Sequence, residues 1–239
     1  MSKKNSLIIG GSKGIGSIIS KYLRKRGDKI YTISRNSSEN KKNIKLDLSN
    51  NKSIKYSLRA KLKNIKIDNI IFSQRYRGSN EIDQYNTDLF STINILLSLK
   101  DNLKKNASVV LLASVSNKTI VDDQNLNYHI IRSAIEQLMR YYAVKFSSKQ
   151  IRFNCILPSK ILKPSNKKFF YKSKKGIKIR KHLELVTPLK RMGKAEDIAN
   201  LVLFLTDKMS EYITGQSFII DGGLSLVSQE SVLNIIKKK

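Results

Sequence analysis

A glycine-rich turn near the start of the chain restricts most strongly what this sequence can fold into. The residues from Leu7 to Ile9 form a short apolar run, which is typical of a buried parallel strand. Glycines follow at positions 10, 14 and 16, and apolar residues at helical spacing begin with Ile15. The first glycine permits a tight turn, the second lets the backbone approach a ligand, and the third lets the helix pack closely on the sheet. This unit predicts a helix N-terminus that binds the pyrophosphate of a dinucleotide, although the glycines alone would also suit a surface loop. The residues expected to line that site are Gly10, Ser12, Lys13, Gly14, Ile15 and Gly16.

The second predicted strand, Lys29 to Arg35, ends where a dinucleotide-binding fold contacts the adenosine ribose. A carboxylate there would accept a hydrogen bond from the ribose 2′-hydroxyl and would repel a 2′-phosphate. This strand ends instead in Ser34 and Arg35, and the next acid is Glu39. Because Arg35 and Lys13 can both pair with a 2′-phosphate, the pattern predicts NADP(H) rather than NAD(H). The alternative is that both are solvated cations of a basic chain.

Strand and helix patterns alternate along the rest of the sequence. Further strands are predicted at 43–49, 65–72, 108–113, 151–157 and 218–220, with helices near 50–62, 81–104, 127–146 and 195–205. This order predicts an α/β fold with a seven-stranded parallel sheet and helices on both faces, in one domain spanning residues 1–239. Asp47 and Leu48, near the end of the third strand, are assigned to the adenine end of the cofactor. Asp47 is expected to accept from the adenine amino group, to cap the next helix, or to do both.

The charge balance is unusual, with 46 lysines and arginines against 18 acids and a net charge of +28. A basic surface can bind nucleic acid through phosphates. However, the chain is rich in Lys, Asn and Ile throughout, as in an AT-rich genome, and shows no nucleic-acid-binding motif, so we favour codon bias. Cys155 is the single cysteine and there are two histidines, which excludes an internal disulfide and argues against a metal site. With no apolar run of membrane-spanning length and no signal-peptide core, we expect a cytoplasmic protein without membrane contact.

Several motifs, taken in their order and spacing, resemble the short-chain dehydrogenase/reductase family from about residue 7 to residue 226. The stretches that carry the resemblance are Gly10-x3-Gly14-Ile15-Gly16, Leu46-Asp47-Leu48, Ser114, Tyr128-x3-Arg132, 151–154 before Pro158, 188–193, 196–199, 213–216 and Asp221-Gly222-Gly223. The C-terminal half is most similar to the 3-oxoacyl-carrier-protein reductase branch. The resemblance implies a Rossmann-type domain and oxidation of alcohols or reduction of carbonyls with NAD(P).

The resemblance also implies roles for particular side chains. Tyr128 is the expected general acid and base, Ser114 orients the substrate carbonyl, and Arg132 supplies the cation that stabilises the phenolate. The family's usual residue at that last position is lysine, and arginine cannot release a proton. The helix asparagine of the family's proton relay is replaced by Asp88, with Asn86 as an alternative alignment. We predict that Asp88 and Arg132, which have opposite charge, interact.

A second departure follows the fourth strand, where the family's Asn-Asn-Ala-Gly is replaced by Phe72-Ser73-Gln74-Arg75. Ser73 and Gln74 remain expected contacts of the cofactor ribose. Two functional classes therefore stay open. The first is an active NADP(H)-dependent oxidoreductase that interconverts a carbonyl and an alcohol. The second is a catalytically weakened protein that keeps the cofactor-binding fold for a binding or regulatory role.

The segment after the sixth strand points to the substrate's charge. From Lys160 to Lys181 it contains no acid, and the resemblance implies that this region, about 159–187, covers the substrate as a lid. We call it the basic segment. With Phe169, Phe170 and Tyr171 as apolar cover, it predicts an anionic substrate such as a sugar phosphate, a nucleotide-sugar or a carrier-bound acyl group. The alternative is a solvated loop of a lysine-rich protein.

Assembly into a homodimer or homotetramer is expected from the resemblance, through the helices at 81–104 and 127–146. The second of these carries more apolar positions than one buried face requires, which suggests a partner surface. Those positions are Ile131, Ile135, Leu138, Met139 and Tyr142.

Overall fold

The computed structural model describes residues 3–35 and 42–237. Its centre is a seven-stranded sheet in which every neighbouring pair of strands is parallel. The strands are β1 (Asn5–Ile9), β2 (Lys29–Ser34), β3 (Asn43–Lys45), β4 (Ile67–Phe72), β5 (Leu103–Leu112), β6 (Arg152–Pro158) and β9 (Ser217–Ile220). Their order across the sheet is β3-β2-β1-β4-β5-β6-β9. This confirms the predicted seven-stranded parallel sheet.

Helices cover both faces of the sheet because the strands bury side chains on both sides. The helices are α1 (Gly14–Arg26), α2 (Asn51–Leu62), α3 (Glu81–Tyr85), α4 (Ser91–Leu99), α5 (Leu126–Lys145), α6 (Pro164–Lys172), α7 (Lys174–Val186), α8 (Ala195–Leu205) and α9 (Gln229–Lys237). Leu7 and Ile9 of β1 pack in one cluster with α2, α4 and α5, whereas Ile8 packs in a second cluster with α1 and α8. Alternate residues of one strand thus serve the two layers of a doubly wound fold, as predicted.

The helix predicted over 81–104 is wrong as a single element. It is divided into α3, a π-helical turn at Asn86–Phe90, and α4, which ends at Leu99. Strand β5 then begins at Leu103 rather than at 108, with an irregular register where Asn106 has a φ of 63°. The chain turns early because Asn102 donates side-chain hydrogen bonds to the carbonyls of Leu62 and Ile65. These long-range contacts outweigh the local helical pattern.

The basic segment folds mainly as helix. After a short strand β7 (Ile161–Leu162), which pairs with β8 (Gly193–Lys194), it forms α6 and α7. Phe170 is buried with Leu162 and Met192, but Phe169 and Tyr171 are exposed. Of the three aromatic residues expected to form an apolar cover, one therefore belongs to this small core. The C-terminal helix α9 was not predicted from the sequence.

Candidate active site

The glycine turn between β1 and α1 has the close backbone approaches that its sequence predicts. Gly10 has a φ of 79°, and a Cβ there would stand 2.8 Å from the backbone nitrogen of Gln74. A Cβ at Gly16 would stand 2.3 Å from the Gly10 carbonyl oxygen. Gly14, with a φ of 61°, has open space beside it, and the nearest atom to a Cβ there would be Cδ of Lys163 at 3.9 Å. The turn is therefore closed toward the sheet and open at Gly14.

The N-terminus of α1 is suited to an anion. The first N–H groups of a helix have no partner within it, and the helix dipole favours negative charge there. All residues of the first turn of α1 are described, and none of them is acidic. Ser12 and Lys13 are exposed at this end, while Ile15 packs against the core beneath α1. The cradle therefore fits the pyrophosphate of a nicotinamide dinucleotide, which only a nearly side-chain-free turn can admit.

Two polar residues that follow β4 hold the cleft together. The Ser73 hydroxyl donates a 2.7 Å hydrogen bond to the Ile9 carbonyl, which ties β4 to β1. The Gln74 amide donates to Thr92 Oγ1 at 2.8 Å, and its buried Oε1 has no hydrogen-bond partner among the described residues. The Ser73 hydroxyl and the Gln74 backbone lie beside the glycine turn. The contacts of Ser73 and Gln74 with the cofactor ribose stay predictions. The Ser73 hydroxyl proton is already used in the bond to Ile9.

The adenosine end of the cleft is described in part. The carbonyl of buried Ser34 accepts from the Leu46 N–H at 3.1 Å, and Arg35 is exposed. Glu39 lies outside the described residues. Asp47 accepts from the backbone N–H and the hydroxyl of Ser49, whereas α2 begins at Asn51 after Asn50.

Helix capping by Asp47, the second of its two expected roles, is therefore not what the structure shows. An Asx turn with Ser49 takes the acceptor atom instead. Leu48 is buried in the core beneath this edge. The adenine contacts of both residues stay predictions.

Ser114 and Tyr128 both lie near the carboxyl end of β5. Ser114 is buried at the N-cap of a short 3₁₀ turn, and its hydroxyl pairs with that of Ser116 at 2.9 Å. Tyr128 is 8% exposed in the first turn of α5, whose N-cap Asn125 accepts from the Tyr128 N–H at 2.9 Å. Arg132, which contacts the tyrosine ring, also donates to the Leu112 carbonyl at the end of β5. This is the edge where parallel α/β sheets place their ligands.

The predicted interaction of Asp88 with Arg132 is confirmed. Arg132 Nη2 lies 2.5 Å from Asp88 Oδ2, and both side chains are buried. The other Asp88 oxygen accepts from the Tyr76 N–H at 2.7 Å. Burial raises the pKa of the Asp88 carboxyl, while the Arg132 charge and the Tyr76 hydrogen bond oppose that shift.

Asn86, the alternative alignment, points elsewhere, because its side-chain oxygen accepts from Asn51 on α2. Asp88 is therefore the residue that meets Arg132. The π-helical turn that holds Asp88 brings this carboxylate to the cation.

Two cations lie against the tyrosine ring. The guanidinium carbon of Arg132 is 4.8 Å from the Tyr128 ring centroid, and that of Arg75 is 4.6 Å from it. Arg75 also donates to Gln124 Oε1 at 2.6 Å. Arg132 thus contacts the ring and the buried Asp88 together. Its catalytic role, like those of Ser114, Tyr128 and Asp88, remains a prediction.

Two cations near this cleft, Arg75 and Arg77, were not assigned a role from the sequence, and a third, Lys163, was considered only as part of the basic segment. Burial, followed by the charges of Arg77 and Arg75, lowers the pKa of Lys163 to about 8. Burial and the charge of Arg75 also lower the pKa of Arg77. Arg75 and Arg77 stand within five residues of the end of β4, and the sequence already showed that this position lies at the ligand-binding edge.

His129 is a further residue that sequence reasoning missed. Its Nε2 accepts from the Val121 N–H at 2.9 Å, and its Nδ1 is 3.0 Å from the Asn125 carbonyl. It thereby holds the loop that precedes α5 next to Tyr128. Elsewhere, Cys155 is buried, and burial raises the pKa of its thiol to about 12, which leaves it unreactive. Within residues 3–35 and 42–237 no cluster of His, Cys, Asp and Glu could hold a metal ion, and no helix is long and apolar enough to cross a membrane.

Comparisons with known proteins agree with this geometry. The family described as enoyl-(acyl carrier protein) reductase matches residues 80–225. The chain belongs to the short-chain dehydrogenase/reductase family, whose members are oxidoreductases that use a nicotinamide cofactor.

Individual relatives match over nearly the whole chain. A tropinone reductase homolog of Arabidopsis thaliana is 27% identical over 92% of this chain and 90% of its own. The 3-oxoacyl-[acyl-carrier-protein] reductase of Buchnera aphidicola is also 27% identical, over 95% of this chain and 99% of its own. A solved short-chain dehydrogenase family protein from Francisella tularensis superposes with a TM-score of 0.81 at 27% identity, covering 95% of this chain and 100% of its own.

Proposed function

We propose that this protein is an NADP(H)-dependent oxidoreductase that interconverts a carbonyl and an alcohol on an anionic substrate. The observation that carries the proposal is the position of Ser114 and Tyr128 beside the carboxyl end of β5, in a sheet whose β1–α1 turn forms a dinucleotide cradle. Candidate substrates are sugar phosphates, nucleotide-sugars and carrier-bound acyl groups.

The residues divide the chemistry between them. The cofactor, when bound, supplies or accepts the hydride. The glycine turn and the N-terminus of α1 hold its pyrophosphate. The Ser114 hydroxyl exchanges its bond to Ser116 for one to the substrate oxygen. The Tyr128 hydroxyl then gives a proton to that oxygen during reduction and removes it during oxidation.

Arg132 acts through the tyrosine as a fixed positive charge, kept in place by Asp88. A guanidinium does not release a proton near neutral pH, so the proton that Tyr128 gives up must be replaced from solvent. Bulk water is accessible at the exposed Arg75 side of the cleft.

The anionic substrate is supported by the charge of the basic segment. No acid stands between Lys160 and Lys181, and most lysines of α6 and α7 are exposed. Such a surface raises the local concentration of an anion, and the effect falls with ionic strength.

A second candidate function is a cofactor-binding protein of weakened catalysis. The specific observation in its favour is that the Arg132 charge is offset by the buried Asp88 carboxylate. A neutralised cation stabilises the Tyr128 phenolate less than a free one.

The proposal is tested by measuring NADPH binding through cofactor fluorescence and NADPH oxidation with a panel of carbonyl substrates. The panel contains a keto-sugar phosphate, a nucleotide-activated keto-sugar, a 3-oxoacyl thioester and a neutral ketone. We expect turnover of an anionic member and a loss of about 100-fold or more in kcat for Tyr128→Phe and Ser114→Ala, with NADPH affinity unchanged. Tyr141→Phe, an exposed tyrosine of the same helix, is the control.

The outcomes separate the two candidates. NADPH binding without turnover of any member favours the second. Wild-type turnover by Tyr128→Phe, or no binding of the cofactor at all, refutes the first.

A further inference from the structure

Arg75 is a second cation on the ring of the proposed catalytic tyrosine. Its guanidinium carbon lies 4.6 Å from the Tyr128 ring centroid, slightly nearer than that of Arg132 at 4.8 Å. The family motif has a glycine at this position, and a glycine supplies no charge. We propose that Arg75 is the cation that stabilises the Tyr128 phenolate during proton transfer, an inference that rests on the function proposed above.

The charge of Arg132 is compensated where it stands. Arg132 Nη2 lies 2.5 Å from Asp88 Oδ2, and both side chains are buried. The fields of these two opposite charges partly cancel at the tyrosine ring. The Tyr128 phenolate therefore gains less from Arg132 than the short distance between them suggests.

The charge of Arg75 is not compensated in the same way. Asp88 and Asp123 both interact with it, and each of these acids already has another partner. Asp88 is the partner of Arg132, and the Asp123 carboxylate lies 3.2 Å from Lys160 Nζ. Because the two arginines are at nearly equal distances from the ring, Arg75 is the one with the larger net effect on the phenolate.

The loop before α5 holds Arg75 over the ring. Arg75 Nη2 donates a 2.6 Å hydrogen bond to Gln124 Oε1. The Gln124 amide nitrogen donates in turn to the backbone and side-chain oxygens of Asp123, at 2.8 and 2.9 Å, so the amide oxygen is left for the guanidinium. An amide is a neutral partner. It therefore fixes the position of this exposed side chain beside Tyr128 without cancelling its charge.

The other ionisable groups that face Tyr128 do not take this role. The His129 ring lies edge-on to the tyrosine ring at a centroid distance of 6.0 Å, and its Nε2 accepts from the Val121 N–H, so the imidazole is neutral. Arg77 interacts electrostatically with Tyr128, and it also carries a positive charge. Its contribution is added to that of Arg75 and is measured separately below.

The direct test is a titration of Tyr128 in the full chain by NMR, with tyrosine labelled with carbon-13 at Cζ. The Tyr128 signal is identified by its loss in Tyr128→Phe, and the series starts above about pH 6.5, where a histidine is mostly neutral. We expect Arg75→Gln to raise the midpoint of the Tyr128 titration by about one pH unit, since an opposite charge at this distance favours the charged form. Arg75→Lys, which keeps the charge, should restore most of the shift.

Three further variants separate the position of the charge from its presence. Arg59→Gln, at an exposed arginine of α2, removes the same charge elsewhere and should leave the midpoint unchanged. Arg77→Gln should raise it by less than Arg75→Gln does. Gln124→Ala removes the anchor at constant net charge and should also raise it by a smaller amount.

Activity gives a second readout. In alcohol oxidation the phenolate is the base, so kcat/KM rises with pH as it forms. In Arg75→Gln this rise should move to higher pH by the same amount as the NMR midpoint. A higher KM without any such move would overturn the inference, because Arg75 would then bind the substrate and not act on the tyrosine.

An unchanged midpoint in Arg75→Gln would overturn the inference as well, and so would an equal shift in Arg59→Gln. No shift in Gln124→Ala would contradict the anchored geometry on which the inference depends. Absence of turnover with every substrate refutes the proposed function instead, and the NMR titration still decides whether Arg75 stabilises the phenolate.

Discussion

At Asp88 and Arg132, two opposite charges are removed from water together. Each ion loses several kcal/mol of hydration on burial, and the pair is tolerated because the partners also satisfy one another and the Tyr76 N–H. The pair also holds the Arg132 guanidinium in place against the Tyr128 ring. Removal of one partner is therefore much more damaging than the presence of the pair is beneficial.

We expect Asp88→Ala to lower the free energy of unfolding by about 3–5 kcal/mol, because it leaves the Arg132 charge buried without a partner. Urea denaturation measures the change. Asp88→Asn should cost less, since an amide oxygen can still accept from Tyr76. Asp101→Ala, at an exposed acid with a 3.9 Å pair to Lys149, is the control and should leave stability nearly unchanged. A similar loss in the Asp88 and Asp101 alanine variants would contradict this account.

The preference for NADPH or NADH is also expected to depend on a single residue, Arg35. Arg35 is exposed at the end of β2, and the strand ends without a carboxylate at Ser34. We expect the protein to prefer NADPH over NADH, and Arg35→Asp to weaken NADPH binding by about 1.5–3 kcal/mol. Fluorescence titration with both cofactors measures this. Equal affinity of the unaltered protein for the two cofactors would show the prediction to be wrong.

Among the elements, α1 has the most demanding local geometry. Its N-terminal turn is packed so closely on β1 and β4 that a side chain at Gly16 would overlap the Gly10 carbonyl oxygen. Gly27 caps its C-terminus with a φ of 105°, and no atom of the described residues lies within 4 Å of a Cβ added there. One end of the helix requires glycine for space, and the other requires it for backbone conformation.

This contrast gives a matched pair of variants. Gly16→Ala should lower the melting temperature and weaken NADPH binding at least tenfold, because the backbone must move at the pyrophosphate cradle. Gly27→Ala should cost about 1–2 kcal/mol of stability through its left-handed conformation and leave NADPH binding unchanged. Thermal unfolding and fluorescence titration distinguish the two. Normal cofactor affinity in Gly16→Ala would mean that the turn does not hold the pyrophosphate.

At the scale of the whole molecule, the apolar residues of α5 that were expected to face a partner subunit are not exposed. Ile131, Ile135, Met139 and Tyr142 are buried in this chain's own core, with Leu138 packed against it, so they are not surplus. The exposed apolar residues of this region are others. They are Leu126, Ile130, Tyr141 and Val144 on α5, Ile82 on α3, Leu97 on α4 and Phe90 in the π-helical turn. An oligomer through these helices therefore stays a prediction, with a different set of contact residues.

We expect light scattering at physiological ionic strength to give a dimer or tetramer, and Leu97→Glu combined with Val144→Glu to give a monomer. Tyr56→Glu, an exposed apolar residue on α2, is the control. Because the net charge is +28, repulsion between copies should weaken assembly at low salt. A monomer at micromolar concentration in 0.15 M salt would refute this prediction.

The sequence by itself determined the order of the elements and the glycine turn. The strand patterns and the apolar spacing of the helices are local properties. Apart from the end of β3 and the start of β5, the predicted bounds of the strands and of α2, α5 and α8 came within a few residues of the observed ones. The glycine positions were equally informative, since positive φ and close backbone approach exclude other residues there. Asp88 and Arg132 both differ from the residues usual in the family and carry opposite charges, and this was enough to predict that they pair.

Only the tertiary structure decided where a locally predicted helix was interrupted and which side chains from distant parts of the chain came into contact. The helix expected over 81–104 was interrupted because Asn102 and Asp88 gain partners elsewhere in the fold. Arg75 and Lys163, which follow β4 and β6, reach the same edge of the sheet because these two strands flank β5. Spacing along the chain carries no record of that meeting, since it depends on the order of the strands across the sheet.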